Sequence, residues 1–260
     1  MSDFWQSGWV KFPFDPALAD WATHALLAAR GAISDPAHAE WLDCEGTWFI
    51  GVDALENDEK GRVDQSGDLS GTAMDFTREH YGDLPLHKGQ VSVVYPGYPR
   101  PRRGESDAAG RYRLNRDAAH VDGLRPTGPD RRRRVDEPHA WILGIPLTEV
   151  SDNASPMVLW EGSHRILGPA FAKALQDTPK ETMHEVDITD IYQAARREVF
   201  EMCPRIELPA KPGEAYLLHR HCLHGVAPWP DSASAGPDGR MIAYFRPEFT
   251  DGVAAWIESP

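Results

Sequence analysis

The chain has 260 residues, of which 41% are hydrophobic and 26% charged, and its net charge at pH 7 is −13. This composition is typical of a folded globular protein with a sizeable core. The acidity excludes a nucleic-acid-binding protein that acts through its whole surface. No apolar run approaches the roughly 20 residues that a membrane-spanning helix needs.

The cysteines and the N-terminal sequence indicate a reducing compartment. Cys44, Cys203 and Cys222 form no C-x-x-C pair, and an odd number argues against a disulfide framework. The opening MSDFWQSGWVKF has neither the basic start nor the apolar stretch of a signal peptide. We therefore expect a cytoplasmic protein. Because no clear break in composition divides the chain, we expect one domain over residues 1–260.

In chain order, the first predicted element is an amphipathic helix over 15–30, where Pro16 follows a capping Asp15. Residues 53–71 are polar and rich in Gly and Asp, which is typical of a surface loop. The remaining pattern predicts strands over 89–98, 140–150, 156–162, 205–210, 215–225 and 240–249, and helices over 169–177 and 187–202. Several short strands with long connections favour a mainly β core of the jelly-roll type with flanking helices.

The positive charge is concentrated in one segment. Between Arg100 and Arg134 there are eleven arginines and five acidic residues. Such a segment either attracts an anionic substrate, since arginine suits carboxylate and phosphate groups, or pairs with acids elsewhere on the surface. The run Arg131–Arg134 lies in a stretch rich in Pro, Gly and Asp, so we expect it to be a mobile loop.

The residues most indicative of chemistry are HVDG at 120–123 and HRHCLHG at 219–225. Alternate side chains of an extended strand point to the same face, so His120 and Asp122 are placed to bind one ion together. A third ligand from a distant strand would complete a two-His-one-carboxylate set, which is diagnostic of non-haem iron(II) oxygenases. On spacing alone, the three histidines of the second segment compete for that position.

Four blocks together resemble the phytanoyl-CoA dioxygenase family of iron(II)- and 2-oxoglutarate-dependent oxygenases. They are SGWVKFPF near the N-terminus, HVDG followed by a strand, SDNASPMVLWEGSH at 151–164, and KPGEAYLLHRHCLHGVAP at 211–228. The blocks occur in the family's order and span nearly the whole chain. The resemblance implies a double-stranded β-helix of the cupin-like jelly-roll type, with flanking α-helices.

The resemblance also implies which histidine is the third ligand. In the family it is the second of the paired set, the one followed by glycine, which here is His224 before Gly225. His221 is the alternative. The halogenases of this superfamily have a small residue in place of the carboxylate, so Asp122 implies hydroxylation or another oxidation of the substrate rather than chlorination.

For the cosubstrate 2-oxoglutarate, the family uses an arginine on the strand after the distal histidine. Arg240 is the best match and Arg246 is the alternative, because the connection from His224 is longer than usual in the family. Ala119 and Val226 stand where the family often has an aromatic residue and a serine. Gln90, on the strand before the first motif, is a candidate for a secondary cosubstrate contact.

The expected function is an Fe(II)- and 2-oxoglutarate-dependent dioxygenase that hydroxylates a small, anionic organic substrate and releases succinate and CO2. Two alternatives use the same residues. One is a metal-dependent hydrolase with zinc at the His/Asp cluster, and the other is an inactive barrel protein that binds an anion. The sequence does not indicate the substrate or the oligomeric state.

Overall fold

The structure is a computed structural model that describes residues 4–259. Its α-helices are α1 (Phe4–Ser7), α2 (Pro16–Ser34), α3 (Thr72–Tyr81), α4 (Asp107–Asn115), α5 (His164–Leu175), α6 (Thr189–Met202) and α7 (Gly252–Glu258). Its strands are β1 (Trp9–Phe12), β2 (Leu42–Asp43), β3 (Trp48–Phe49), β4 (Gln90–Val94), β5 (Leu124–Thr127), β6 (Arg132–Val135), β7 (Trp141–Pro146), β8 (Met157–Trp160), β9 (Arg205–Leu208), β10 (Ala215–His219), β11 (His224–Val226) and β12 (Arg240–Phe245). Two 3₁₀ helices cover Pro36–Trp41 and Lys180–Glu185.

The strands form two antiparallel sheets and a hairpin. The large sheet has the order β1-β10-β7-β12-β4-β3-β2, the small sheet has the order β11-β8-β9, and β5 pairs only with β6. Consecutive strands of the chain often lie in different sheets, so the chain winds between the two layers. This mainly β, double-stranded β-helix arrangement with flanking helices confirms the predicted fold class.

A shared apolar layer holds the two sheets together. Ile142, Tyr216, Leu218, Ile242 and Tyr244 of the large sheet form one buried cluster with Met157, Leu159 and Leu208 of the small sheet. Because side chains alternate along a strand, the opposite face of each sheet also carries apolar residues and needs its own cover. Buried residues of α2 and α3 contribute to the cluster over the large sheet, and those of α5, α6 and α7 to the cluster over the small sheet.

The predicted elements have several different boundaries in the structure. The strand predicted over 215–225 is wrong, because β10 ends at His219, a turn follows, and β11 begins in the other sheet at His224. The helix predicted over 169–177 begins earlier, at His164, and contains Pro169. Helices α3 and α4 were not predicted. None of the helices within residues 4–259 is long and apolar enough to cross a membrane.

The mobile loop expected at Arg131–Arg134 is also wrong in most of its length. Residues 132–135 form β6, which pairs with β5 in the register Leu124↔Val135 and Thr127↔Arg132. Of this hairpin only Leu124 and Val135 are buried, and the arginine-rich β6 carries no hydrophobic alternation, so the strand is not recognisable from periodicity.

Candidate metal centre

Three predicted ligands meet at the end of the double-stranded β-helix. One ligand atom from each of His120, Asp122 and His224 lies within 4.8 Å of the other two. His120 Nε2 is 3.2 Å from Asp122 Oδ1, and His224 Nε2 is 3.6 Å from Asp122 Oδ2. Asp122 and His224 are buried, whereas the side chain of His120 is 46% exposed. Two imidazoles and one carboxylate on one side of an ion would leave its other side open to ligands.

Backbone pairing fixes the separation of the two histidines. The His120 N–H donates to the His224 carbonyl at 2.8 Å, and the His224 N–H donates to the His120 carbonyl at 3.0 Å. This reciprocal pair places the two rings side by side, with centroids 4.6 Å apart. Ligands about a hundred residues apart in the chain therefore become neighbours across one antiparallel bridge.

The glycines of HVDG and HG have steric reasons to be glycine. Gly123 has φ +77°, and a Cβ there would lie 2.1 Å from the Glu137 carbonyl oxygen. A Cβ on Gly225 would lie 2.0 Å from the Asp117 carbonyl oxygen. A side chain at Gly123 would push the Asp122 segment away from Glu137, and one at Gly225 would push β11, which carries His224, away from the segment that leads to His120.

Hydrogen bonds set the tautomer of both histidines. His120 Nδ1 lies 3.0 Å from the Ala118 carbonyl oxygen, and His224 Nδ1 lies 2.9 Å from the Cys222 carbonyl oxygen. Because a carbonyl oxygen only accepts, each Nδ1 carries a proton, which leaves Nε2 as the nitrogen through which each histidine would bind a metal. Both Nε2 atoms face Asp122, so the two histidines are oriented as metal ligands before any ion binds.

Arg246 adds a positive charge beside the carboxylate. Its Nη1 lies 3.3 Å from Asp122 Oδ2, and its backbone N–H donates to His87 Nε2 at 3.1 Å. Burial by itself would raise the pKa of Asp122, but Arg246 and His224 outweigh this effect and hold that pKa well below its usual range. Asp122 is therefore ionised at neutral pH and available as an anionic ligand.

Two tyrosines from the helices hold the segment before β5 that carries His120 and Asp122. Tyr112 of α4 donates its hydroxyl to the Ala119 carbonyl at 2.8 Å, and the Val121 N–H donates to the Tyr192 hydroxyl of α6 at 3.3 Å. The guanidinium of Arg196 lies over both rings, 4.9 Å from the centroid of Tyr112 and 5.1 Å from that of Tyr192. The ligand segment is thus held on both sides of His120.

An ion pair holds the turn that precedes the ligand segment. Asp117 is buried, with φ +52°, and accepts two 2.8 Å hydrogen bonds from Nε and Nη2 of Arg205 on β9. Its carbonyl also accepts from the N–H of Val226 at 2.9 Å. Asp117 therefore ties the start of the ligand segment to both β9 and β11.

Two of the candidate ligands, His120 and Asp122, line a cleft of about 740 Å³. A cleft of this volume suits a small organic ligand. Side chains from several distant segments form its wall. The charged and histidine residues of that wall are Asp53, Glu59, His87, His120, Asp122, Arg125, Arg133, Glu137, His139, Arg246 and Glu248.

The two arginines predicted for the cosubstrate lie in different places. Arg246 lines the cleft, whereas Arg240 is buried at the other end of β12 beside Tyr216, whose hydroxyl is 3.3 Å from Arg240 Nη2. Arg240 Nη1 has no hydrogen-bond partner among the described residues. The void that Arg240 lines holds about 10 Å³, roughly the space of one water molecule.

The remaining predicted candidates also lie outside the cleft wall. Gln90 is nearly buried on β4, and its Nε2 donates to the Ile50 carbonyl at 2.8 Å. His219 and His221 pack against each other with ring centroids 5.2 Å apart. His221 also contacts Trp256, at 4.2 Å between ring centroids, so it lies in the apolar layer under α7 rather than with His120 and Asp122.

Much of the arginine-rich segment pairs with acidic residues. Five of its side chains form ion pairs, in the pairs Arg100–Glu45, Arg102–Asp43, Arg113–Glu105, Arg125–Asp136 and Arg132 with both Asp187 and Asp190. Of the eleven arginines of the segment, only Arg125 and Arg133 line the cleft. The pairing interpretation therefore describes five of the eleven arginines, and the substrate interpretation concerns Arg125 and Arg133.

Several residues of the site were not identified from the sequence. His87, Tyr112, Tyr192 and Arg205 lie in segments without a recognisable motif, and all but Tyr112 act through contacts with residues distant in the chain. No local pattern in a single sequence could reveal them. Tyr112 offers one sequence signal, because it lies only eight residues before His120. A helix that ends just before the ligand segment, as α4 does, brings a side chain at this spacing close to His120.

No family model and no curated protein matches the chain. Among solved structures, EvdMO1 is similar at 13% identity with a TM-score of 0.51, over 95% of this chain and 48% of that one. SnoK, a non-haem alpha-ketoglutarate-dependent carbocyclase from nogalamycin biosynthesis, is 14% identical with a TM-score of 0.47, over 98% of this chain and 88% of that one. EctD from S. alaskensis, crystallised with bound Fe, is 16% identical with a TM-score of 0.44, over 96% and 78%. At such identities the likeness concerns the fold alone, and the fold of this chain is the double-stranded β-helix.

Proposed function

We propose that this protein is an Fe(II)- and 2-oxoglutarate-dependent dioxygenase that hydroxylates a small, anionic organic substrate. The observation that carries the proposal is the meeting of His120, Asp122 and His224, with ligand atoms within 4.8 Å of one another, beside a cleft that His120 and Asp122 line. This donor set, with one side open, suits iron(II). The four sequence blocks support membership of the phytanoyl-CoA dioxygenase family, which is part of the proposal.

The protein's own groups prepare the site for a divalent ion. The two Nε2 lone pairs and the ionised Asp122 supply three donors of net charge −1, and Arg246 holds one carboxylate oxygen. Bound iron(II) would supply oxidation of the substrate by dioxygen, coupled to conversion of 2-oxoglutarate into succinate and CO2. The wall of the cleft would position the substrate and limit the access of water.

We keep Arg240 as the proposed receptor for the far carboxylate of 2-oxoglutarate. Two observations support this role: Arg240 is buried, and its Nη1 has no hydrogen-bond partner among the described residues. A buried N–H group without a partner is costly, and a ligand carboxylate would remove that cost. The void beside it is small, so side chains around Tyr216 would have to move. Arg246, which already lies in the cleft, is the alternative receptor.

Anaerobic titration of the protein with iron(II) and then 2-oxoglutarate tests the proposal. We expect a visible charge-transfer band for the wild type and no band for Asp122→Ala, because that variant lacks the anionic ligand. At iron(II) concentrations that saturate the metal site of each variant, we expect Arg240→Ala to weaken 2-oxoglutarate binding at least about ten-fold. Arg246→Ala is measured in parallel, and a loss confined to that variant under these conditions would move the role to Arg246. Absence of the band and of oxygen consumption in the wild type would contradict the proposal and leave a zinc hydrolase or an inactive anion-binding barrel.

A further inference from the structure

The charge of Arg133 is not neutralised by any acidic side chain of the described residues. Its neighbours Arg125 and Arg132 both form ion pairs, but no ion pair among residues 4–259 includes Arg133. Its Nη1 donates to the Leu124 carbonyl at 2.5 Å, and its guanidinium lies 5.6 Å from the ring centroid of Tyr192. These neutral contacts orient the positive charge without compensating it.

The surroundings of Arg133 add positive charge. Burial lowers the pKa of Arg133, and Arg196 and Arg131 lower it further, although the tyrosine hydroxyls partly oppose them. Arg133 is half-buried, so water does not fully solvate its guanidinium. A partly desolvated cation among other cations is costly by itself, and an anion bound against it would remove this cost.

The acidic residues of the cleft wall do not form ion pairs with Arg133. Glu137 lies 3.3 Å from His139, and Asp53 lies 3.4 Å from His87. Glu59 and Glu248 come from other segments of the wall and form no ion pair with Arg133. Asp122 is held by Arg246 and the two candidate histidine ligands.

The backbone of Arg133 is rigidly placed. Its N–H donates to Thr189 Oγ1 at 2.6 Å, and its carbonyl accepts from the Ile188 N–H at 3.0 Å, both at the start of α6. Strand β6 is therefore anchored to the same helix that holds the ligand segment through Tyr192. A preorganised arginine loses little conformational entropy when it binds an oxyanion.

Arg133 shares the cleft with the candidate metal ligands. The carbonyl that orients Arg133 belongs to Leu124, two residues after Asp122. The Cα atoms of Asp122 and Leu124 are therefore at most about 7 Å apart. Arg133, His120 and Asp122 all line the same 740 Å³ cleft. A ligand of moderate size could thus contact Arg133 at one end and approach the metal position at the other.

We propose that Arg133 forms a subsite for an oxyanion group, a carboxylate or phosphate, of the substrate. The substrate class is then an organic anion whose charged group lies several bonds from the carbon that is oxidised. This inference rests on the proposed oxygenase function for its second half, the approach to the metal. The existence of the anion subsite itself is independent of iron and of turnover.

Inorganic phosphate is the probe for the subsite in the full-length, metal-free protein. We expect saturable binding by calorimetry, weakened at least about ten-fold in Arg133→Ala because the charge-assisted hydrogen bonds are lost. Arg133→Lys should fall between the two, since it keeps the charge but not the planar fork. Arg134→Ala is the matched control, because Arg134 is the next residue on β6, is exposed and lies outside the cleft wall. The phosphate affinity of this variant should stay within about two-fold of wild type.

The metal-loaded protein tests the distance. With Mn(II) in place of iron and 2-oxoglutarate present, we expect enhanced ³¹P relaxation of bound phosphate that disappears in Arg133→Ala. Relaxation that persists in this variant would mean that phosphate binds the metal directly, and equal phosphate affinity in wild type and Arg133→Ala would also overturn the proposal. Arg133-dependent phosphate binding without Mn(II) binding would instead contradict the proposed function and leave the subsite standing. Circular dichroism of each variant establishes that it is folded.

Discussion

Asp122 is the residue on which most of the site's interactions converge. It lies within 3.6 Å of both candidate histidine ligands and 3.3 Å from Arg246. A carboxylate with one oxygen held by a guanidinium is restrained in orientation, which favours binding of the metal through one oxygen only. Among residues 4–259, Arg246 forms no ion pair or hydrogen bond with His120 or His224. Its effect on a bound metal would therefore pass through Asp122.

We therefore predict that Arg246→Ala weakens iron(II) binding by about ten- to a hundred-fold, the range for partners that orient metal ligands. Arg246→Lys should recover part of this loss because it restores the positive charge. Anaerobic competition with a chromogenic chelator measures the affinity. Arg62→Ala is the control, since it removes a surface arginine–aspartate pair with Asp68. Wild-type affinity in Arg246→Ala would show that Asp122 needs no such restraint.

At the scale of elements, the ligand segment depends on helices α4 and α6. Tyr112 and Tyr192 hold the backbone on both sides of His120 from helices that lie outside the sheets. Removal of either hydroxyl deletes one hydrogen bond and leaves the aromatic packing in place. The expected loss of global stability is small, about 1 kcal/mol.

We predict that Tyr192→Phe combined with Tyr112→Phe lowers iron(II) affinity by about ten-fold. The ligand segment would be more mobile in this variant, so metal binding would cost more conformational entropy. The same chelator competition measures it, with the unfolding free energy measured alongside. Tyr95→Phe, a change in a tyrosine outside the cleft wall, should leave the iron affinity unchanged. If the double variant loses stability but keeps wild-type iron affinity, the tyrosines stabilise the fold without positioning the metal ligands.

These elements also show how far the sequence predicts the site. His120 and Asp122 follow from their spacing, and His224 follows from the family resemblance together with the glycine after it. The split of 215–225 into β10 and β11 was missed because HRHCLHG is buried throughout, so alternation does not reveal a turn. The contacts of Tyr192 and Arg205 join residues 71 and 88 positions apart, and no single-sequence pattern encodes such distances.

At the scale of the whole molecule, a group of buried histidines packs beside Trp256 of α7. His221 contacts His219 and Trp256, and His164 lies 4.9 Å from His219 between ring centroids. Burial lowers the pKa of His221 well below its usual 6.5, and Arg220, His219 and His164 lower it further. The unfolded chain therefore binds a proton at this position more readily than the folded protein does.

We predict that the protein loses stability as the pH falls below about 6.5, the pKa of an unfolded histidine. The contribution of neutral His221 is fully present above that pH and decreases on acidification. His221→Leu should reduce the slope of the unfolding free energy between pH 6.5 and 5 by up to about 1.4 kcal/mol per pH unit. Urea unfolding at several pH values measures this slope. His184→Leu, at an exposed position, should keep the wild-type slope, and an equal slope in His221→Leu would contradict the account.

One iron(II) ion is expected to bind between His120, Asp122 and His224. Anomalous diffraction at the iron edge, from crystals loaded anaerobically with iron(II), would locate this ion. We expect one peak within bonding distance of His120 Nε2, an Asp122 carboxylate oxygen and His224 Nε2, and its loss in Asp122→Ala. A peak at His219 or His221 instead, or no ordered iron in well-diffracting crystals, would contradict it.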